Sequence, residues 1–185
     1  MSIESHPSVA IISPALASAN NGNWHTARRW ARCLAPLARV EIALEWRGAS
    51  ADFLIALHAR RSAPSIAAFA GRHPDRPLAV VLTGTDLYRD IASDAAAQRS
   101  LALATRLIVL QPEGLRELPP AHAAKAMVIY QSARTLVPGR HSRRHFDLAL
   151  VGHMRAEKDP LTALRALRLL PANLPVRLFH VGGAL

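Results

Sequence analysis

The chain has a single cysteine, few aromatic residues, a shortage of acids and no long apolar run. With Cys33 alone, no disulfide can close within the chain, and a reducing, cytoplasmic setting fits. Aromatics make up 5% of the residues, so a core must be built mainly from Ala, Leu, Val and Ile. The same scarcity argues against a surface that stacks nucleic-acid bases. No apolar segment reaches the roughly 20 residues needed to span a bilayer, so a soluble protein with no membrane partner is expected. The stretch VAIISPALASA (9–19) ends in small residues, as secretion signals do. It lacks a basic flank, follows Glu4 and is broken by Pro14, which excludes that reading. Acids number 13 against 23 Lys plus Arg, a formal charge of +10. That surplus is either an Arg-rich solvated surface or a sign of an anionic partner such as phosphate, nucleotide or nucleic acid.

What is present is a repeating grammar. Half of the 185 residues are hydrophobic, enough for one domain plus a piece of another. Short apolar runs recur: VAIIS (9–13), VEIAL (40–44), FLIAL (53–57), LAVVL (78–82), RLIVL (106–110) and MVIYQ (127–131). Most are continuous rather than alternating, which suits strands covered on both faces. Between them lie helical patterns. HTARRWARCLAPLA places Trp30, Ala31, Leu34 and Ala38 at helical spacing, with Cys33 on the buried side and Pro36 kinking the helix or ending it early. SAPSIAAFAGRHP (62–74) starts at a serine cap and closes at a glycine, and Ser93 opens another capped helix. Alternating strands and helices predict an α/β fold, a Rossmann-like parallel sheet over residues 8–133. An Arg-rich, Pro-Gly-interrupted linker (134–145) follows. A β-α-β unit then begins a second domain (146–185), with Asp159-Pro160 opening a helix faced by Leu161, Leu164, Leu167 and Leu170.

Ligands of open parallel sheets bind beyond the carboxyl ends of the strands, so the residues after each run are the candidates. After the first run, Gly22 and Asn23 lead into a helix start at Thr26, where backbone N–H groups and the helix dipole favour an anion. The alternative there is a plain turn and cap. After FLIAL come His58, Arg60 and Arg61, a proton carrier and two planar forks for phosphate-like oxygens, or else a solvated helix start. After LAVVL come Thr83, Gly84, Thr85 and Asp86, which offer backbone and hydroxyl donors and one carboxylate. Gln131 and Ser132 follow the sixth run. In the second unit, VGHMRAEKDP (151–160) carries Arg155 and Lys158 between strand and helix, placed to neutralise a diphosphate or simply solvated. His141 and His145 have metal-like spacing but no carboxylate or thiol beside them, so no metal is expected. The chain has no GxSxG, CxxC or HExxH, and Cys33 reads as core rather than nucleophile.

Taken in order, GNWHTARRW (22–30), LIALHARRSAPSI (54–66), HPDRPLAVVLTGTDLYRD (73–90), RLIVLQPEGLREL (106–118), KAMVIYQSA (125–133) and VGHMRAEKDP (151–160) resemble one family throughout the chain. The resemblance is to the selenosugar synthases of selenoneine biosynthesis, bacterial GT-B glycosyltransferases related to the large retaining family four. ALHARRSA and LTGTDLYRD carry the specificity; VGHMRAEKDP alone says only that a donor domain begins. The resemblance implies transfer of the sugar of UDP-N-acetylglucosamine or UDP-glucose to selenophosphate, forming a carbon–selenium bond. A partner enzyme of the same pathway would consume the selenosugar. It further implies that His58, Arg60 and Arg61, with donors from Gly22, Asn23, Thr26, Thr83, Gly84 and Thr85, hold selenophosphate. His58 and Asp86 are the candidate catalytic groups, Asp86 as a base, a sugar ligand or an orienting partner for Arg60 or Arg61. Arg155 and Lys158 would grip the donor diphosphate, with no metal or other cofactor. Such enzymes need a complete second domain with an acidic motif for ribose and sugar, and the chain would stop short of it at Leu185. One local departure is Ala35-Pro36-Leu37, where the family has a Gly-His-like turn. Two other classes remain open: a GT-B transferase with an ordinary hydroxyl acceptor, needing His58 or Asp86 as a base, and a non-catalytic basic binding domain.

Overall fold

The computed structural model of the chain describes residues 6–137, 139, 142–154 and 158–183. The chain divides into two compact units, Met1–Ala133 and Arg134–Leu185. The first is an α/β unit around a six-stranded, all-parallel sheet of Rossmann-like type. Its strands are β1 (Ser8–Ile12), β2 (Arg39–Ala43), β3 (Phe53–Leu57), β4 (Leu78–Leu82), β5 (Arg106–Val109) and β6 (Ala126–Val128). Its helices are α1 (Gly22–Leu34), α2 (Ala63–Arg72), the single turn α3 (Ile91–Ser93), α4 (Ala95–Leu103) and the short α5 (Pro120–Ala123).

The continuous apolar runs have their explanation in two cores. Ile12, Leu54, Ala56, Leu78, Val80, Leu82 and Leu107 pack beneath α2 and α4, against Ile66, Phe69, Ala97 and Leu101. The alternate residues Val9, Ile11, Ile55, Leu57, Ala79, Val81 and Ile108 face the other way, toward α1. Successive side chains point to opposite faces, so a strand with helices on both sides must be apolar at every position. Phe69 is fully buried, with its ring edge-on to Trp46 at 5.3 Å between centroids.

Strand order is β2-β1-β3-β4-β5-β6. From β1 the chain first steps to β2 by way of α1, then returns past β1 and advances through β3 to β6. The order reverses between β1 and β3, and in open α/β sheets the crevice at such a reversal is where ligands bind. His58 follows β3 and the start of α1 follows β1, so both stand at that crevice.

Several expected helix ends are made differently. Asp94, not Ser93, caps α4, its carboxylate accepting the Ala97 N–H at 2.8 Å. Ser62 does not cap α2; its hydroxyl donates to the Leu57 carbonyl at 2.6 Å and closes the turn after β3. Gly71 lies inside α2, which ends at Arg72. Helix α1 ends at Leu34, just before Pro36 removes an N–H. Cys33 is exposed, contrary to the expectation of a core thiol, because the buried stripe of α1 runs through Ala27, Trp30, Ala31 and Leu34. The sixth strand is only three residues long, and Gln131 lies beyond it.

In the second unit, β7 (Phe146–Val151) and β8 (Val176–Val181) pair in parallel around α6 (Pro160–Arg168). Pro160 sits at the start of α6, and Leu170 falls past its end. One β-α-β unit cannot cover both faces of its strands, and Phe146, Val151, Leu161, Leu164, Phe179 and Val181 are exposed. No helix among the described residues is long and apolar enough to cross a membrane.

Candidate functional site

The turns after β3 and β4 are locked together by a buried carboxylate. Asp86 is wholly inaccessible, and its Oδ1 accepts the N–H groups of Thr83 at 3.0 Å and Gly84 at 2.9 Å. Its Oδ2 accepts the Ala59 N–H at 2.9 Å, from the neighbouring turn. A carboxylate can leave water only when its lone pairs are filled in this way. Asp86 is therefore neither free to take a proton from a ligand nor paired with Arg60 or Arg61, and the Thr83 and Gly84 N–H groups are not free to donate.

His58 sits in the same knot with φ of 72°, a left-handed conformation that costs a non-glycine residue energy. Its surroundings hold it there. Its carbonyl accepts the Ser62 N–H at 3.0 Å, and its Nδ1 accepts the Arg61 N–H at 3.3 Å. Because Nδ1 is an acceptor, the proton of the neutral ring is on Nε2, which donates to Thr85 Oγ1 at 3.1 Å. Burial pushes the His58 pKa below its ordinary 6.5; Asp86 pulls the other way, and Arg61 adds to the depression. The ring is neutral at pH 7, with both nitrogens engaged.

The Thr85 hydroxyl, having accepted from His58, keeps its own proton for an outside acceptor, and Thr85 is half-buried. The Arg60 guanidinium is held by Asp90 in the turn after β4, Nε donating to Oδ2 at 2.8 Å. Arg89 Nε donates to the other oxygen, Oδ1, at 3.1 Å. The protein partner of Arg60 is thus Asp90, a residue outside the expected set of anion-binding groups. The Arg61 side chain is exposed and makes no hydrogen bond or ion pair among the described residues. Across this corner the two carboxylates face inward and are consumed, while the guanidinium groups face outward.

On the other side of the crevice, Asn21 caps α1 by accepting the Trp24 N–H at 3.2 Å. Gly22 and Asn23 form the first turn. The Thr26 hydroxyl is used, donating to the Gly22 carbonyl at 2.9 Å and accepting from Gln131 Nε2 at 2.8 Å. Arg29 Nε donates to Ser132 Oγ at 2.8 Å. The segment leaving β6, at the far edge of the sheet, therefore runs back to α1 beside β1.

A groove of about 400 Å³ opens between α2 and α4, with Arg60 and Arg99 on its walls and Ala63, Pro64, Ala67 and Leu103 among its lining. In the second unit, Lys158 is exposed with its aliphatic stem beside Gly152. Arg155 and His141 lie outside the described residues. Among the described residues no group of three His, Cys, Asp or Glu is placed to hold a metal ion.

Sequence reasoning missed Arg89 and Asp90. The available signal was spacing: Asp86 and Asp90 are four apart in a helical turn, so both turn to the same, inner side. Comparison with protein-family models gives no match for this chain, and comparison with curated proteins gives none.

Proposed function

We propose that the protein is a GT-B glycosyltransferase that moves the sugar of a UDP-sugar onto selenophosphate, with the acceptor bound at the β3–β4 corner of the crevice. In the reaction the anomeric carbon–oxygen bond to UDP breaks and the bonding electrons leave with UDP. A selenium lone pair of selenophosphate forms the new carbon–selenium bond. Water then cleaves the phosphorus–selenium bond, releasing phosphate and a selenosugar.

The observation that carries this reading is that both candidate bases are already engaged. Asp86 is filled by three backbone N–H groups and His58 by one N–H and one hydroxyl. A hydroxyl acceptor needs a base within hydrogen-bond reach, whereas selenophosphate is ionised and needs cations and donors around it. Thr85, Arg60, Arg61 and Arg89 supply these at the corner. Lys158, with Arg155, is assigned to the donor diphosphate by the sequence resemblance. UDP departure is then stabilised by protein cations, with no divalent metal called for.

The test is to incubate the protein, in the full length its gene encodes, with UDP-N-acetylglucosamine or UDP-glucose and selenophosphate under anaerobic conditions. Release of UDP that depends on selenophosphate, with a selenium-containing sugar seen by mass spectrometry, is expected. Folded protein that releases no UDP, or that transfers only to hydroxyl acceptors, overturns the proposal.

A further inference from the structure

We infer that Arg60 and Arg89 form a paired clamp for a small tetrahedral oxyanion, with the buried Asp90 as the residue that positions both. The inference deepens the acceptor site proposed above and rests on that reading for the identity of the anion.

The two arginines come from different strand-end turns, Arg60 after β3 and Arg89 after β4. Left alone, two guanidinium groups at close range would repel. Asp90 offsets this by accepting the Nε–H of each, one on each carboxylate oxygen. The Asp90 side chain is only 7% exposed, while those of Arg60 and Arg89 are 41% and 60% exposed. The carboxylate thus lies beneath and the cations above. A guanidinium has five N–H donors, and the bonds to Asp90 use one from each group. Neither arginine donates to any other acceptor among the described residues. The Nη groups make no hydrogen bond among the described residues, and each partly exposed side chain is tied at its Nε to Asp90.

An ordinary surface ion pair joins one cation to one anion and leaves little unsatisfied charge. Here a single carboxylate holds two cations, so the cluster keeps a net positive charge and a set of oriented donors. Planar forks held in this way suit the oxygens of a phosphate-type ligand, because less side-chain freedom is lost on binding. Arg61 and the Thr85 hydroxyl border the same two turns and add a further cation and donor. Burial acts against ionising Asp90, but the hydrogen bonds from Arg89 and Arg60 outweigh it and hold its pKa below the usual 3.8. The positioning group therefore stays charged throughout the neutral range.

Calorimetric titration of the full-length protein with inorganic phosphate tests this without any UDP-sugar or transfer step. Arg60→Ala and Arg89→Ala are each expected to weaken phosphate binding about tenfold or more, the worth of one charge-assisted fork. Arg89→Lys keeps the charge but not the fork and is expected to weaken it nearly as much. Arg32→Ala, which removes equal charge from the exposed last turn of α1, is expected to change it by less than about twofold. Unchanged unfolding midpoints identify variants that remain folded. Absence of phosphate binding, an unaffected Arg89→Ala variant, or an equal loss in Arg32→Ala would each overturn the clamp. A protein that binds phosphate as expected but releases no UDP would sink the proposed transfer and leave the clamp standing.

Discussion

The carboxylate of Asp86 accepts the N–H of Ala59 at 2.9 Å, joining the turn after β4 to the turn after β3. Two more N–H groups, of Thr83 and Gly84, complete its shell. Replacing Asp86 with Asn turns one acceptor oxygen into an amide that faces N–H groups in a site closed to water. The expected loss is about 3 kcal/mol or more, from hydrogen bonds to a charged group and a donor left without an acceptor. Urea unfolding measures it; a loss below about 1 kcal/mol would mean that the turns are held by something else.

The depressed pKa of His58 has a direction that stability must follow. Below pH 6.5 the unfolded chain protonates this ring while the folded protein resists, so the unfolded state binds more protons. Stability is then lost as pH falls from 6.5 toward the folded pKa. His73 and His122 are shifted the same way by burial and neighbouring cations and add to the slope. A His58→Asn variant keeps a residue that tolerates positive φ and lacks the titration. Its unfolding midpoint is expected to change less than that of the native chain between pH 7 and pH 5. Parallel slopes for the two proteins would remove His58 from the account.

Much of this fold was legible, and the reason is specific. LAVVL is apolar at five consecutive positions, and the structure covers Leu78 from one side and Val81 from the other. The crevice residues were legible as a set because the parallel-strand rule depends only on where the apolar runs stop. Partnership was not legible. Nothing in the string HARRS says that Arg60 reaches Asp90, thirty residues on, or that the Ser62 hydroxyl turns back to Leu57. Cys33 was misplaced although the stripe of Trp30, Ala31 and Leu34 was read as it stands: Cys33, next to Leu34, lies outside that stripe and is exposed.

Gly114 is buried where a methyl group would meet Leu87 Cδ2 and Val109 Cβ, each at 3.0 Å. The Leu87 methyl can turn aside, but the Val109 Cβ belongs to a central strand and cannot. Gly114→Ala is therefore expected to destabilise by about 1 kcal/mol or more despite the entropy that alanine removes from the unfolded chain. A thermal melt decides this: a raised Tm would show that the turn after β5 yields freely.

The return of the chain from β6 to α1 rests on two side-chain contacts, Gln131 to Thr26 and Ser132 to Arg29. Residues 129–133 are exposed and bury little apolar surface, so beyond the Ile129 N–H bond to the Val109 carbonyl these two contacts hold their local order. In a Gln131→Ala, Ser132→Ala double variant, amide exchange over 129–133 is expected to rise severalfold with the global unfolding midpoint unchanged. Equal exchange in the two proteins would show that the backbone path alone holds the segment.

The outward thiol of Cys33 has a practical consequence. With no second thiol in the chain to pair with, any disulfide formed on air oxidation of a stored sample joins one molecule to another. A covalent twofold species should therefore form with age on a non-reducing gel and vanish with reductant. The same thiol gives a single attachment point for a dye on α1, away from the turns that carry His58 and Asp90.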